Sequence, residues 1–479
     1  MSIDLQAAIQ NIVKDEQQSS PIVPETSSLE ESSSTAPTKG LYVKTFGCQM
    51  NVHDSQKIFT LMAKKGFSPV EEPSQADVIL VNTCSVREKP EQKVMSAVGQ
   101  YAVLKKKNPD LIVGVGGCFA RQEGQNLIDR APAIDLVFGP DNIPELPKMI
   151  HELEADAHSL VEVDFDPKDN VRFLDIAPKV LPSKHAAMVT IMKGCDKYCS
   201  FCIVPHVRGR ERYRPAQEIL NEVRRLVDSG IYEVLLLGQS VTSYRWQDGD
   251  EIWELSRLLR AIDQVEGLRR LRFTSPYPRD FGPDLIDCFG SLDTLCEQVH
   301  LPFQSGSNRI LYRMNRRHTR EQYFAWVDAL RVRCPDIALS SDVIVGFPGE
   351  EEIDFEETMD LINRVRFDQL YSYMYSPRPK TPAARKMQVS DEDKKRRLLI
   401  LQARQKEIMR ERNEALEGTI QEVMVEGPSR NDPTWMKGRT RTHKVVNFPA
   451  SPELIGRFVH VKIQKGFPHS LAGELVPEQ

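Results

Sequence analysis

Residues 193–205 read KGCDKYCSFCIVP, and Cys195, Cys199 and Cys202 fall there in a C-x3-C-x2-C pattern within one short loop. Three thiolates held so close together can ligate three irons of a [4Fe-4S] cluster and leave the fourth open to a small molecule. A closed zinc site wants four ligands, commonly from two paired C-x2-C knuckles. No second knuckle accompanies this one, and Phe201 precedes the last cysteine, so the cluster outweighs zinc. The loop follows an apolar run, AMVTIMKG (187–194), the first of a series. YEVLLLG (232–238), LRRLRFTS (268–275), CEQVHLPF (296–303), ALSSDVIVGF (338–347) and FDQLYSYMYS (367–376) continue it. Helical patterns such as PAQEILNEVRRLVDSG (215–230) lie between them. Six β/α units predict a partial (β/α)6 barrel, since closure takes eight, with functional residues at the carboxyl ends of the strands.

Toward the amino terminus, LYVKTFG (41–47), ADVILVNTC (76–84), LIVGVGGC (111–118) and IDLVFG (134–139) alternate with helical stretches. Apolar strands alternating with helices predict a parallel α/β sandwich, placed at residues 39–155. Cys48, Cys84 and Cys118 each follow a different strand of it. The carboxyl ends of parallel strands face one crevice, so these three thiols are expected to converge on a second cluster with an exchangeable position. Cys288, Cys296 and Cys334 have no ligand-like spacing and read as core residues.

Residues 1–38 form a tail rich in Ser, Thr, Pro and Glu, expected to be disordered, and residues 164–184 read as a linker. The barrel domain, with a long charged trailing helix, is placed at 181–415, and short β runs at 416–479 predict a small antiparallel β-barrel. The fold class is thus α/β in its first two domains and all-β in the last. Lys and Arg number 63 against 68 Asp and Glu, a net charge of −5, so RNA binding must rest on local patches. Mean hydropathy is −0.40. No apolar run approaches the ~18 residues that span a bilayer, and the chain start lacks a secretory pattern. A cytoplasmic, membrane-free protein is expected, and nine cysteines, an odd number, argue against a disulfide framework.

Other motifs are less specific. Gln239 ends the second barrel strand and Gln304 another, so either can line the pocket or satisfy a turn. In VRGRERYRP (207–215) alternate arginines would share one face if extended, offering Arg208 and Arg210 to a carboxylate or an RNA phosphate. Lys437, Arg439, Arg441 and Lys444 form a basic patch in the C-terminal barrel, an RNA-binding candidate. Phe448 reads as core.

The C-x3-C-x2-C loop after a first barrel strand resembles the radical S-adenosylmethionine (SAM) superfamily. TFGCQMNVHDS (45–55), VNTCSVREKPEQK (81–93), GFPGE (346–350) and YSPRPKTPAA (375–384) resemble the MiaB-type branch of the methylthiotransferases, whose C-terminal barrel is a TRAM domain. GQSVT (238–242) and TSPYP (274–278) depart from the commoner GQNVN and TSHP-like forms. The resemblance implies a SAM-binding [4Fe-4S] cluster on Cys195, Cys199 and Cys202, an auxiliary Fe-S cluster, [4Fe-4S] when complete, on Cys48, Cys84 and Cys118, and SAM near Gln239, Gly346 and Glu350. It also implies a tRNA anticodon stem-loop as partner, an external electron donor such as flavodoxin or ferredoxin, and a monomer. One SAM would methylate a sulfur at the auxiliary cluster. A second would yield the 5′-deoxyadenosyl radical that activates C2 of N6-isopentenyladenosine just 3′ of the anticodon. Two rival readings stay open: the same chemistry on threonylcarbamoyladenosine or a ribosomal-protein aspartate, and a non-catalytic zinc and RNA-binding protein. The QMN and VREK sequences around Cys48 and Cys84 favour isopentenyladenosine.

Overall fold

The computed structural model describes residues 39–85, 88–156, 159–165, 185–430 and 432–477. The expected disordered tail (1–38) and most of the expected linker lie outside the described residues.

The first domain is a six-stranded parallel sheet in the order β2-β1-β3-β4-β5-β6. Its strands are β1 (Lys39–Phe46), β2 (Phe67–Pro69), β3 (Val78–Thr83), β4 (Ile112–Gly117), β5 (Leu136–Phe138) and β6 (Leu160–Glu162). Helix α1 (Gln49–Ala63) and helix α4 (Leu146–Ala155) cover one face, while α2 (Glu88–Lys107) covers the other. Alternation within β3 divides its residues between two cores: Ile79 and Val81 pack toward α2, Val78 and Leu80 toward α1. Burial on both faces explains why these strands read as unbroken apolar runs. The sheet has two edge strands more than the sequence suggested. Each is three residues long, too short to show a period, and β6 carries the sheet past residue 155.

The second domain has six parallel strands: β7 (Ala186–Thr190), β8 (Glu233–Leu237), β9 (Arg270–Phe273), β10 (Gln298–His300), β11 (Ala338–Val345) and β12 (Gln369–Met374). They form two three-stranded sheets, β9-β8-β7 and β10-β11-β12, joined by a single bridge between Leu271 and Leu295. A common core including Val189, Leu236, Leu271, Val299, Leu339 and Val343 makes them one partial barrel. Ser390 caps the trailing helix, Asp391–Glu414, by accepting from the Asp393 amide.

The last domain is a closed five-stranded barrel, β13 (Ile420–Pro428), β14 (Trp435–Thr440), β15 (Val445–Pro449), β17 (Leu471–Leu475) and β16 (Phe458–Gly466) in that order. All its pairings are antiparallel except β15 with β17, which is parallel and corrects the wholly antiparallel expectation. Phe448 is fully buried in its core, as expected. Among the described residues no helix is long and apolar enough to cross a membrane.

This barrel sits on the amino ends of the second domain's strands. Arg270, first residue of β9, donates from Nη1 to the Arg439 carbonyl (2.8 Å) and from Nη2 to Glu422 Oε1 (3.0 Å). Arg272 donates to the carbonyls of Arg441 (2.8 Å) and Thr440 (3.1 Å). The carboxyl ends of the same strands face the first domain, where Met50 packs with Met188 and Leu237.

Candidate active site

Cys48 caps α1 in extended conformation, Cys84 follows β3, and Cys118 opens the short helix α3 (Cys118–Glu123) after β4. Because β1, β3 and β4 are neighbours in the sheet, their carboxyl ends bring the three thiols to one crevice. The chain makes room with glycine. A side chain on Gly47 (φ +131°) would lie 2.5 Å from Cys84 Cβ, and one on Gly117 (φ +92°) 2.4 Å from the Thr83 carbonyl. Beneath the crevice, Asn82 Nδ2 donates to the Asn51 carbonyl (2.8 Å) and Ser55 Oγ (2.9 Å), and Cys48 Sγ donates to Asn51 Oδ1 (3.3 Å). A hydrogen bond with Cys84 holds the Cys48 thiol below its ordinary pKa, and the Arg208 charge adds to this. Burial pushes the Cys118 thiol up.

The second triplet occupies the loop between β7 and helix α5 (Val204–Arg208). The Cys195 amide donates to the Gly209 carbonyl (3.1 Å) and the Cys202 amide to that of Cys199 (3.0 Å). Asn315 Nδ2 holds the Tyr198 carbonyl (2.9 Å), and Arg316 Nη1 lies 3.6 Å from Cys199 Sγ. Phe201 meets Phe347 edge-on, at 6.5 Å between ring centres. Burial raises the thiols of Cys195 and Cys202 to about 12, so these groups release protons when a metal takes them as thiolates.

Between the triplets lies a buried ionic latch. Asp141, in the loop after β5, accepts from Arg121 Nη1 (2.7 Å), Arg212 Nη2 (3.1 Å) and Lys193 Nζ. Lys193 and Arg212 belong to the barrel domain, two residues before the first cysteine of its triplet and ten after the last. The cations hold the Asp141 carboxyl well below the usual range although burial opposes them. Arg208 adds an ion pair with Asp54 (2.8 Å).

Among the described residues no three His, Cys, Asp or Glu side chains gather closely enough for a single metal ion. A cubane offers a separate iron to each thiolate and needs no such convergence. The all-thiol donor sets, the glycine-lined crevice and the surplus of buried cations over carboxylates suit anionic Fe-S clusters at both triplets.

The other expected residues divide. Arg208 is 2% exposed, so it is no RNA contact; Gly209 (φ +75°) breaks the extended run, and the four alternate arginines do not share a face. Arg212 joins the latch, Arg214 pairs with Glu222, and Arg210 alone is well exposed, 2.7 Å from Asp196. Gln239 Oε1 accepts the Gly194 amide at 2.5 Å, which orients the cysteine loop rather than reaching into open space. Glu350 accepts the Gly346 amide (2.7 Å) and Arg397 Nη1 (2.8 Å), so its carboxylate closes the GFPGE turn against the trailing helix and is not free for a cofactor. Gln304 sits in a left-handed turn (φ 68°) bridged to Val343. Of the C-terminal patch, Arg441 binds Glu297 (2.8 Å) and Lys444 binds Asp368 (2.8 Å), which ties the domains together instead of presenting cations to RNA. Lys437 and Arg439 share Glu426 at 3.6 and 2.8 Å and remain part-exposed. Cys288, Cys296 and Cys334 are buried, as expected.

Asp54, Arg121, Asp141, Lys193 and Arg316 were not foreseen as site residues. Their roles depend on segments far apart in the chain, and only the positions of Asp54, Arg121 and Lys193 near the cysteines hinted at them.

Three family models match the chain in series: the uncharacterized protein family UPF0004 at residues 40–139, the Radical SAM superfamily at 189–362 and the TRAM domain at 414–476. The chain is 47% identical to a tRNA-2-methylthio-N(6)-dimethylallyladenosine synthase of Syntrophus aciditrophicus, over 92% of this chain and 95% of that protein. A protein of the same name from Yersinia enterocolitica is 46% identical, over 92% and 93%. Among solved structures, the radical S-adenosylmethionine methyltransferase TsrM of Kitasatospora setae shares the fold with a TM-score of 0.52 at 16% identity, covering 73% of this chain and 77% of that one.

Proposed function

The chain belongs to the family of tRNA-2-methylthio-N(6)-dimethylallyladenosine synthases, and from that premise we propose that it converts N6-isopentenyladenosine, just 3′ of the anticodon of tRNA, to its 2-methylthio derivative. The observation that carries this reading is the facing of two cysteine triplets at the carboxyl ends of two parallel sheets, linked by the Asp141 latch. When bound, the two Fe-S clusters and SAM supply sulfur methylation and the radical chemistry that an unactivated C–H bond demands.

The chain's own groups do the positioning. Cys195, Cys199 and Cys202 would hold the barrel cluster, with Gln239 fixing the Gly194 amide and Arg316 directing an N–H toward Cys199. Cys48, Cys84 and Cys118 would hold the auxiliary cluster. The apolar group of Phe347, Tyr375, Ile310 and Met314 beside Phe201 keeps water from that side of the cysteine loop. Gln304 and Arg210 are candidates for contact with the base and its phosphate, and Lys437 and Arg439 for the stem. The target base has to leave the anticodon-loop stack to reach such a buried site. Reduction by a flavodoxin- or ferredoxin-like donor, action as a monomer and a cytoplasmic location complete the proposal.

Nucleoside mass spectrometry of tRNA from a strain lacking the gene tests it. Loss of 2-methylthio-N6-isopentenyladenosine with accumulation of the unthiolated nucleoside is expected. Unchanged isopentenyladenosine thiolation alongside a lost threonylcarbamoyl derivative would move the enzyme to the other substrate.

A further inference from the structure

Arg208 belongs by sequence to the barrel domain, six residues after Cys202, yet its side chain lies in the other cysteine site. Nε donates to Cys118 Sγ at 3.2 Å, and Nη2 donates to Asp54 Oδ2 at 2.8 Å. The guanidinium is a rigid planar fork, so the Asp54 bond sets the direction in which Nε points. Asp54 itself rides on α1, the helix that Cys48 caps. The contact is not isolated. Ile203 and Val207, on the same segment as Arg208, pack with Cys118 in a small apolar cluster of their own. Arg121 of α3 donates to the Val207 carbonyl at 3.2 Å. The remaining nitrogen, Nη1, is buried and has no hydrogen-bond partner among the described residues. A buried cationic donor left so costs free energy unless some group absent from the protein atoms accepts it. The nearest chemistry that fits is sulfur held at the three thiols.

We infer that Arg208 is a positioning residue of the auxiliary cluster, contributed across the domain boundary by the segment leaving the barrel's cysteine loop, and that its N–H bond to Cys118 Sγ raises that cluster's reduction potential. Hydrogen bonds and positive charge at a ligating sulfur stabilise the more electron-rich reduced state, which moves the potential upward. The segment from Cys202 to Arg208 thereby runs from one site to the other through a single short helix. This inference rests on the auxiliary-cluster reading and adds a residue to it.

The test uses the full chain carrying Cys195→Ala, Cys199→Ala and Cys202→Ala, reconstituted anaerobically so that only the auxiliary site loads. Into it go Arg208→Gln, which removes the charge, and Arg208→Lys, which keeps the charge but loses the planar Nε donor. Iron content, circular dichroism and the midpoint from an EPR-monitored redox titration are read. The expected order of midpoints is parent highest, Lys intermediate, Gln lowest, with iron retained. Loss of iron from a variant whose circular dichroism is intact also supports the positioning role. Equal midpoints in all three proteins at full iron loading overturn the inference. Should the Gln variant not fold, the Lys variant decides alone: an unshifted midpoint rejects the role of the Nε bond. A parent that takes up no iron rejects the auxiliary cluster itself, a different failure from that of Arg208.

Discussion

Cys195, Cys199 and Cys202 share one loop, whose conformation is fixed largely by short-range bonds and by the Asn315–Arg316 segment behind it. Cys48, Cys84 and Cys118 arrive from three separate strand ends and meet only because β1, β3 and β4 are adjacent in the sheet. The first arrangement is carried by spacing. The second is carried by the fold of a whole domain, by two glycines with no space for a side chain, and by an arginine lent from outside that domain. A local set of thiols is therefore expected to survive disturbances elsewhere that a dispersed one does not.

The harshest way to break the comparison is to remove each set of thiols. Alanine at Cys195, Cys199 or Cys202 should abolish 5′-deoxyadenosine formation, whereas alanine at Cys48, Cys84 and Cys118 together should leave it intact under strong reductant while no methylthio product forms. Iron should fall by roughly half in the second case. Retained methylthiolation there would make those cysteines structural.

Next in size is the latch. Asp141→Asn leaves Lys193, Arg121 and Arg212 buried without a full counter-charge, a change that costs about 3–5 kcal/mol in comparable buried pairs. The first unfolding midpoint should drop accordingly, and an unchanged midpoint would mean that the three cations find other partners.

Gly117→Ala sharpens the contrast more gently. The new Cβ meets the Thr83 carbonyl at 2.4 Å and the residue must hold φ +92° with ψ −160°, a region all but reserved for glycine, so a local penalty of about 1–3 kcal/mol for the backbone alone is expected. Auxiliary iron should decrease while the barrel cluster's optical and EPR signals and SAM cleavage stay near the parent's. Equal loss at both sites would show that the dispersed set is no more sensitive than the local one.

The smallest effect concerns RNA. Lys437→Ala with Arg439→Ala should weaken tRNA binding several-fold and flatten its salt dependence, each lost phosphate contact lowering the log–log slope by about 1. Arg441→Ala should instead lower stability, since that side chain holds Glu297 across the domain boundary. If Arg441→Ala reduces affinity more than the double variant does, the assignment of Lys437 and Arg439 to the RNA face is wrong.

The elements and the placement of the six cysteines were legible because each leaves a local mark: apolar runs of strand length, a fixed spacing, a cysteine after each strand. What escaped was set by partners distant in sequence. Nothing in VRGRERYRP says that Arg208 turns inward to Asp54, since the helix ending at Gly209 destroys the alternation that would have put it outside. Nothing in KGRTRTHK says that Arg441 and Lys444 have carboxylates waiting on another domain. Charge alone predicts solvent or RNA, and only the packed structure reveals which charges are already answered. Likewise Glu350 looked available until Arg397, on the trailing helix, came to face it.

The seating of the last barrel on Arg270 and Arg272 bears on how such a molecule can be rearranged by recombination. Both guanidiniums are buried, and both donate to backbone carbonyls of the C-terminal barrel. A gene fusion exchanging that barrel for another RNA-binding module would take those carbonyls away and leave Glu233 as the shared counter-charge for two buried cations at the amino end of the (β/α) sheet. To be tolerated, the newcomer would have to bring carbonyls to the same places, or arrive with apolar replacements at both arginines. Modules that look separable along the sequence are here inherited as a pair.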